Sequence, residues 1–191
     1  MKTRESGMPG AALWDSFFDP PHALDLLMPA VVQADVVEFG CGYGTFTIPA
    51  AQRTRGILHA LDIDPEMVAL TAAKASQAGL TNVRATLRDF VAEGTGLPPD
   101  SVGYAMLFNI LHAEQPEILL REAHRVLAPG GSLGIMHWNY DPSTPRGPSM
   151  AIRPRPEQCR DWALAAGFDL TERGIVSLPP YHYGMLLRRV G

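Results

Sequence analysis

Three glycines, Gly40, Gly42 and Gly44, occupy alternate positions in "VVEFGCGYGTFT", just behind the carboxylate of Glu38 and between an apolar run and a helical pattern. A strand that enters a helix through glycines leaves unpaired N–H groups at the helix start, open to a ligand with no side chain in the way. A tight turn with close strand–helix packing asks for the same residues, so the loop alone is ambiguous. Spacing narrows it: a G-x-G-x-x-G dinucleotide fingerprint from Gly40 needs glycine at 45, where the chain has Thr45. "LDID" follows at the end of the next strand pattern, and an acid on that neighbouring tip can accept both hydroxyls of a ribose diol. Asp62 is suited to this role, with helix capping as its alternative, while Asp64, directly before Pro65, reads as the cap itself. Asp89 in "RDF" is placed to receive an adenine amino group, with Phe90 packing on the ring and offering its backbone N–H.

The chain that must position these groups has 191 residues, one domain's length, and a formal charge of −4. No basic excess exists for non-specific nucleic-acid binding. Cys41 and Cys159 fit neither a disulfide framework nor paired metal-ligand spacing, and no metal site is expected. The start lacks a signal-peptide core and no apolar run is long enough to span a bilayer, so the expectation is a cytoplasmic protein without membrane attachment, a monomer or homodimer.

Short apolar runs alternate with helical patterns, the signature of a mostly parallel sheet. "DVVEFG", "GILHALDI", "NVRATLRDF", "VGYAMLFNIL" and "SLGIMHW" read as strands one to five, with "PEMVALTAAKASQAG" and "PEILLREAHRVLAPGG" as intervening helices ended by glycine. Residues 139–156 carry five prolines and read as a loop, whose Arg146, Arg153 and Arg155 are expected to be solvated. "PEQCRDWALAAG" is then a helix, and the remainder two strands joined near Pro179-Pro180, an antiparallel hairpin. The expected organisation is one domain over 1–191: an N-terminal helical lid segment (1–33), a cofactor-binding core (34–138), the proline-rich loop (139–156), and a helix with terminal hairpin (157–191).

Taken in order, "VVEFGCGYGTFT", "ALDIDPEMV", "RDF…GLPPDSVGYAMLFNILH" and "LLREAHRVLAPGGSLGIMHW" resemble the motifs of class I S-adenosylmethionine (SAM)-dependent methyltransferases, particularly the type 11 group. The resemblance covers about Val36 to Trp138. It implies an α/β, doubly wound Rossmann-like sheet of about seven strands in the order 3-2-1-4-5-7-6, helices on both faces, with an antiparallel C-terminal strand. The implied cofactor is S-adenosyl-L-methionine, leaving as S-adenosyl-L-homocysteine. Gly40, Cys41 and Gly42 would meet its methionine half, with Glu38 near the ammonium, and Asp62 would take the ribose hydroxyls. Ile63 and Met67 would flank the adenine, Asp89 and Phe90 would read its edge, and Asn109 would line the amino-acid end. One departure stands out: Gly103 occupies the place of an acid common in the family, which implies altered packing there. The chain reads "FNIL" after strand four, unlike the amino-methyltransferases that carry Asn/Asp-Pro-Pro-Tyr there.

Methyl transfer from a sulfonium needs donor and acceptor held in line, and a base only where the acceptor must lose a proton. The site of an open α/β sheet lies beyond the strands' carboxyl ends. There the sequence offers His112 after strand four, His137 and Tyr140 in "HWNY", and Tyr181, His182 and Tyr183 in the hairpin. His137 and His182 are the candidate bases, and His112, Tyr140, Tyr181, Tyr183 and Trp14 of the N-terminal "WDSFF" are candidates to touch a small-molecule acceptor. Each also reads as an ordinary packed or surface residue. Two other functions compete: an NAD(P)-dependent oxidoreductase with an irregular glycine loop, and a SAM-binding protein without turnover.

Overall fold

A computed structural model describes residues 9–191. Its elements are α1 (Ala11–Asp15), α2 (Pro20–Leu27), β1 (Asp35–Phe39), α3 (Thr47–Gln52), β2 (Leu58–Asp62), α4 (Pro65–Gln77), β3 (Val83–Leu87), β4 (Val102–Phe108), α5 (Pro116–Val126), β5 (Leu127–Trp138), α6 (Pro156–Ala165), β6 (Phe168–Leu178) and β7 (His182–Arg189). One seven-stranded sheet runs β3-β2-β1-β4-β5-β7-β6. The first five strands pair in parallel, and β7 is antiparallel to both β5 and β6. This is the expected Rossmann-like order. No described helix is long and apolar enough to cross a membrane.

Alternation along the strands sorts side chains onto two cores. Val37, Phe39, Leu107, Leu133 and Ile135 face α5 and α6, where Leu119, Leu120 and Ala123 of α5 are wholly buried. Val36, Met106 and Met136 face the other way, onto Leu24 and Leu27 of α2 and Ala50 and Ala51 of α3. A fully buried leucine stabilises by roughly 1.5–3 kcal/mol, so each core anchors its helices firmly. α4 starts where the sequence says it should, with Asp64 accepting the Glu66 N–H at 2.8 Å and Pro65 in the first turn. Pro20 begins α2, where its missing N–H costs nothing, and the cap Asp19 accepts the His22 N–H.

α2 is fastened through the sheet's surface. The Tyr104 hydroxyl, from β4, donates to the Leu27 carbonyl at 2.6 Å. It lies where a Cβ on Gly134 would stand, and a Cβ on Gly184 would come within 2.8 Å of the Leu27 methyls, so the two glycines form the recess that seats α2. At Gly103 a Cβ would stand 3.0 Å from Ala34 Cβ, so the chain entering β1 lies tightly against it.

The proline-rich loop differs from expectation. Arg153 is buried, and it donates to the carbonyls of Asn139, Asp141, Arg146 and Pro148 and to the Thr144 hydroxyl. One guanidinium satisfies the inward-facing oxygens of a segment that has little apolar content to hold it.

Candidate cofactor and acceptor site

At the carboxyl edge the chain leaves β1 through Gly40, Gly42 and Gly44, all at positive φ (79°, 50° and 73°). Two of them also sit too close to neighbours for a side chain: a Cβ would lie 3.0 Å from Ile110 Cδ1 at Gly40 and 3.1 Å from Thr71 Oγ1 at Gly44. The loop is tied to the tip of β2. Gly42 N–H donates to Asp62 Oδ2 at 2.8 Å, Asp64 N–H donates to Oδ1 at 3.0 Å, and the Thr71 hydroxyl donates to the Gly42 carbonyl at 2.9 Å. Burial raises the Asp62 carboxyl, opposed by these N–H groups.

Glu38, one strand inward, is buried and accepts the Thr47 hydroxyl at 2.5 Å. Burial pushes its carboxyl up to about 8, the Thr47 bond opposes this, and the Asp62 charge adds to it. The buried Cys41 thiol is likewise pushed up by burial, so it is not a reactive thiolate. Ile63 and Met67 are half-buried at the β2–α4 junction. Asp89 accepts the Ala92 N–H at 3.0 Å, which holds its carboxyl below the usual range. The Phe90 ring is buried edge-on against Phe39, centroids 5.5 Å apart, and so is committed to the core; only its backbone remains for a ligand. Asn109, at the tip of β4, has φ +56° and donates its N–H to the Met136 carbonyl at 2.8 Å, while its buried Oδ1 has no partner.

The two expected bases are separated. His137 lies opposite Tyr183 in the β5–β7 ladder and Trp138 opposite His182, so His137 and His182 emerge on opposite faces. His137 is wholly buried, with Nε2 3.4 Å from His112 Nδ1, and burial first, then the neighbouring His112, hold it neutral well below the usual histidine range. His182 is pushed down to about 3, by burial and then by Arg153. Imidazoles that resist protonation so strongly are poor proton acceptors at neutral pH, which counts against a base at either position.

The acceptor-side candidates divide similarly. Tyr183 is buried, with its hydroxyl donating to the Pro154 carbonyl at 3.1 Å and 3.2 Å from Cys159 Sγ, a structural position. Tyr140 lies beneath the Arg155 guanidinium, 3.8 Å from its ring centroid. Trp14 and Tyr181 are brought together around Trp138, at 6.4 and 6.3 Å between centroids.

Sequence reasoning missed the groups that fasten α1 over the glycine loop. The Tyr43 hydroxyl donates to the Pro9 carbonyl at 3.0 Å, the Thr45 hydroxyl donates to Asp15 at 2.6 Å, and Lys74 faces Asp15 at 3.8 Å. It missed Thr47 and Arg153 as well. Their spacing carries no periodic signal, because these bonds join loops and element ends and not successive turns of one helix.

The profile of the methyltransferase domain family matches residues 36–131, half of the chain. An uncharacterized methyltransferase of Mycobacterium tuberculosis is 33% identical over 120 residues, covering 63% of this chain and 45% of that protein. Nocamycin O-methyltransferase of Saccharothrix syringae is 32% identical over 152 residues, covering 78% and 48%, and aklanonic acid methyltransferase of a Streptomyces species is 28% identical over 167, covering 80% and 74%. The chain thus spans about half the length of the first two. A SAM-dependent methyltransferase from Aquifex aeolicus shares the fold with a TM-score of 0.80 at 22% identity, 91% of each chain being covered. The [4+2]-cyclase SpnF shares it with 0.74 at 16%, covering 98% of this chain and 86% of that one. The dinucleotide register, already broken at Thr45, finds no support in any of these likenesses. With its sheet order, its glycine loop tied to Asp62 and this match in the same register, the chain belongs to the class I SAM-dependent methyltransferase family.

Proposed function

We propose that the protein is a SAM-dependent methyltransferase that transfers a methyl group to a small organic acceptor. The junction of Gly42 with Asp62 carries this reading. A carboxylate oxygen has two lone-pair positions, so each oxygen of Asp62, after accepting one peptide N–H, keeps one for a ribose hydroxyl. The residues present suit the rest of the cofactor. Glu38 and the unpartnered Oδ1 of Asn109 offer acceptors to an ammonium, the Gly40–Cys41–Gly42 backbone admits the methionine half, Ile63 and Met67 flank a flat base, and Asp89 and the Phe90 N–H can read its edge. When bound, SAM supplies an electrophilic methyl on a sulfonium with a good leaving group. The chain's part is to hold that methyl in line with an acceptor and to keep water away.

The names of the nocamycin and aklanonic acid relatives favour a small-molecule acceptor, as does the absence of a basic excess at a formal charge of −4. We take the protein to be cytoplasmic and a monomer or homodimer. Calorimetric titration with S-adenosylhomocysteine tests the core of the reading: micromolar binding is expected, and no heat from well-folded protein at high micromolar concentration overturns it. Asp62→Ala is expected to abolish that heat. A second reading, cofactor binding without methyl transfer, draws on the fold shared with a protein described as a cyclase. A metabolite screen for +14 mass products separates the two.

A further inference from the structure

Two histidines meet where β4 and β5 end. His112 lies just past the tip of β4, and His137 stands next to last in β5. β4 is the neighbour of β1, which leads into the glycine loop, so the pair sits beside that loop at the edge where an open sheet binds its ligands. His112 Nδ1 lies 3.4 Å from His137 Nε2, a long hydrogen bond of the kind that tightens when a site fills. Only one hydrogen stands between two neutral rings, and its origin decides what the pair can do. If His137 gives it, His112 carries its own hydrogen on Nε2 and has no lone pair there to offer. If His112 gives it, that Nε2 is a proton acceptor.

The surroundings of His137 favour the second arrangement. Burial first, then His112, His182 and Arg153, oppose a charge on its ring, and the Trp138 backbone alone pulls the other way. Of the backbone groups only a carbonyl favours a ring proton, and Nδ1, buried and without a partner at full hydrogen-bond geometry, is the nitrogen left to carry it. His137 Nε2 is then the bare nitrogen, and it receives the His112 Nδ1–H. Because His137 resists protonation, that lone pair stays in place when a proton arrives nearby. His137 has no exposed surface and His112 keeps 7%, so whatever reaches the pair from outside meets His112.

We propose that His112 is the catalytic base for a hydroxyl acceptor and that His137 is its positioning residue, holding it in the Nδ1–H form. As the acceptor oxygen forms its bond to the methyl carbon, the C–S bond breaks with its electron pair onto sulfur, and the hydroxyl proton passes to His112 Nε2. The imidazolium so formed still donates Nδ1–H to His137, now as a charge-assisted bond, and gives up its Nε2 proton to water once the product leaves. A hydroxyl gains most from such a base, because it is too weakly acidic to ionise beforehand, whereas a thiol with a pKa of about 8.5 or a tertiary amine needs little help. The inference rests on the methyltransferase reading for the acceptor, not for the pairing of the histidines.

Nitrogen-15 NMR of histidine-labelled protein reads the pairing directly, with His112→Ala assigning the signals. His112 should show the Nδ1–H tautomer, the reverse of the form free histidine prefers. Sinefungin, which carries an amine where the cofactor carries its methyl, probes the base: an amine at that place lies within one bridging water of a group that serves the methyl's acceptor. The ratio of sinefungin to S-adenosylhomocysteine affinity, in which a general loosening of the site cancels, should fall about tenfold in His112→Ala, as loss of a hydrogen bond to a charged group requires. His137→Phe should return His112 to the Nε2–H form with the same fall, and His137→Asn, whose amide oxygen can accept the Nδ1–H, should restore both. Should the His137 variants fail to fold, the wild-type tautomer and His112→Ala decide. An Nε2–H tautomer at His112 in the wild type, or an unmoved affinity ratio in His112→Ala, would overturn the proposal. S-adenosylhomocysteine heat alongside an Nε2–H His112 sinks the pair alone. No such heat sinks the methyltransferase reading, and the tautomer still reports on the pair.

Discussion

Asp62 clamps the glycine loop through Gly42 and, on the proposed reading, also takes the ribose hydroxyls. Asp62→Asn removes the charge but keeps one acceptor, so S-adenosylhomocysteine affinity should fall about 10- to 100-fold in calorimetry, roughly 1.5–3 kcal/mol. Glu38 makes a different prediction, because its carboxyl holds a proton to about pH 8 in the folded chain, against the ordinary 4.5. The folded state binds that proton more tightly than the unfolded one. Its contribution to stability is therefore complete below about pH 4.5 and is lost as pH rises toward 8. Glu38→Gln, which retains an acceptor for Thr47, should flatten the stability–pH curve by about 2–3 kcal/mol between pH 5 and 7, read from urea melts. An ammonium brought beside Glu38 would pull its proton off, so S-adenosylhomocysteine binding at pH 7 should release protons, seen as a buffer-dependent binding enthalpy.

α1 is five residues long and contributes no buried side chain; Asp15 holds it to Thr45 and Lys74, the Tyr43 hydroxyl holds Pro9 just before it, and the Trp14 ring packs against Trp138. Such an element sits at the low end of local stability. Tyr43→Phe should raise amide exchange over residues 10–18 several-fold while changing global stability by no more than about 0.5–1.5 kcal/mol, the worth of one hydrogen bond. The larger elements could be read from the chain because each satisfies its own local rule, as with Asp64-Pro65 opening α4 and Gly79 closing it at φ +68°. The acids at the strand tips were legible for the same reason: Asp62 follows directly from where an apolar run stops. The sequence offered His137 and His182 as alternative bases without separating them, because a strand's end fixes position along the sheet, whereas the face depends on the β5–β7 register across the sheet. Arg153 looked like a solvated loop residue because its acceptors are carbonyls, which every residue carries and no pattern reveals.

Across the whole molecule, the parallel half of the sheet carries the glycine loop and its acids, and the antiparallel half carries the ring cluster around Trp138. The two halves meet at β5, which pairs in parallel with β4, where Asn109 N–H reaches the Met136 carbonyl, and antiparallel with β7. Leu107 of β4, wholly buried opposite Ile135 of β5, packs beside this junction, and Leu107→Ala should cost about 2–5 kcal/mol in a thermal or urea melt. A loss this large should weaken both halves together, whereas an Asp62 substitution should touch only the parallel one.

Gly134 gives this architecture a remote control. Because the Tyr104 hydroxyl occupies the space its side chain would need, and that hydroxyl grips Leu27, a single methyl in the middle of β5 would unseat the root of the arm that ends in Phe18 and Trp14. The seat of the N-terminal arm is thus set from the middle of β5, by a residue whose whole contribution is to leave room.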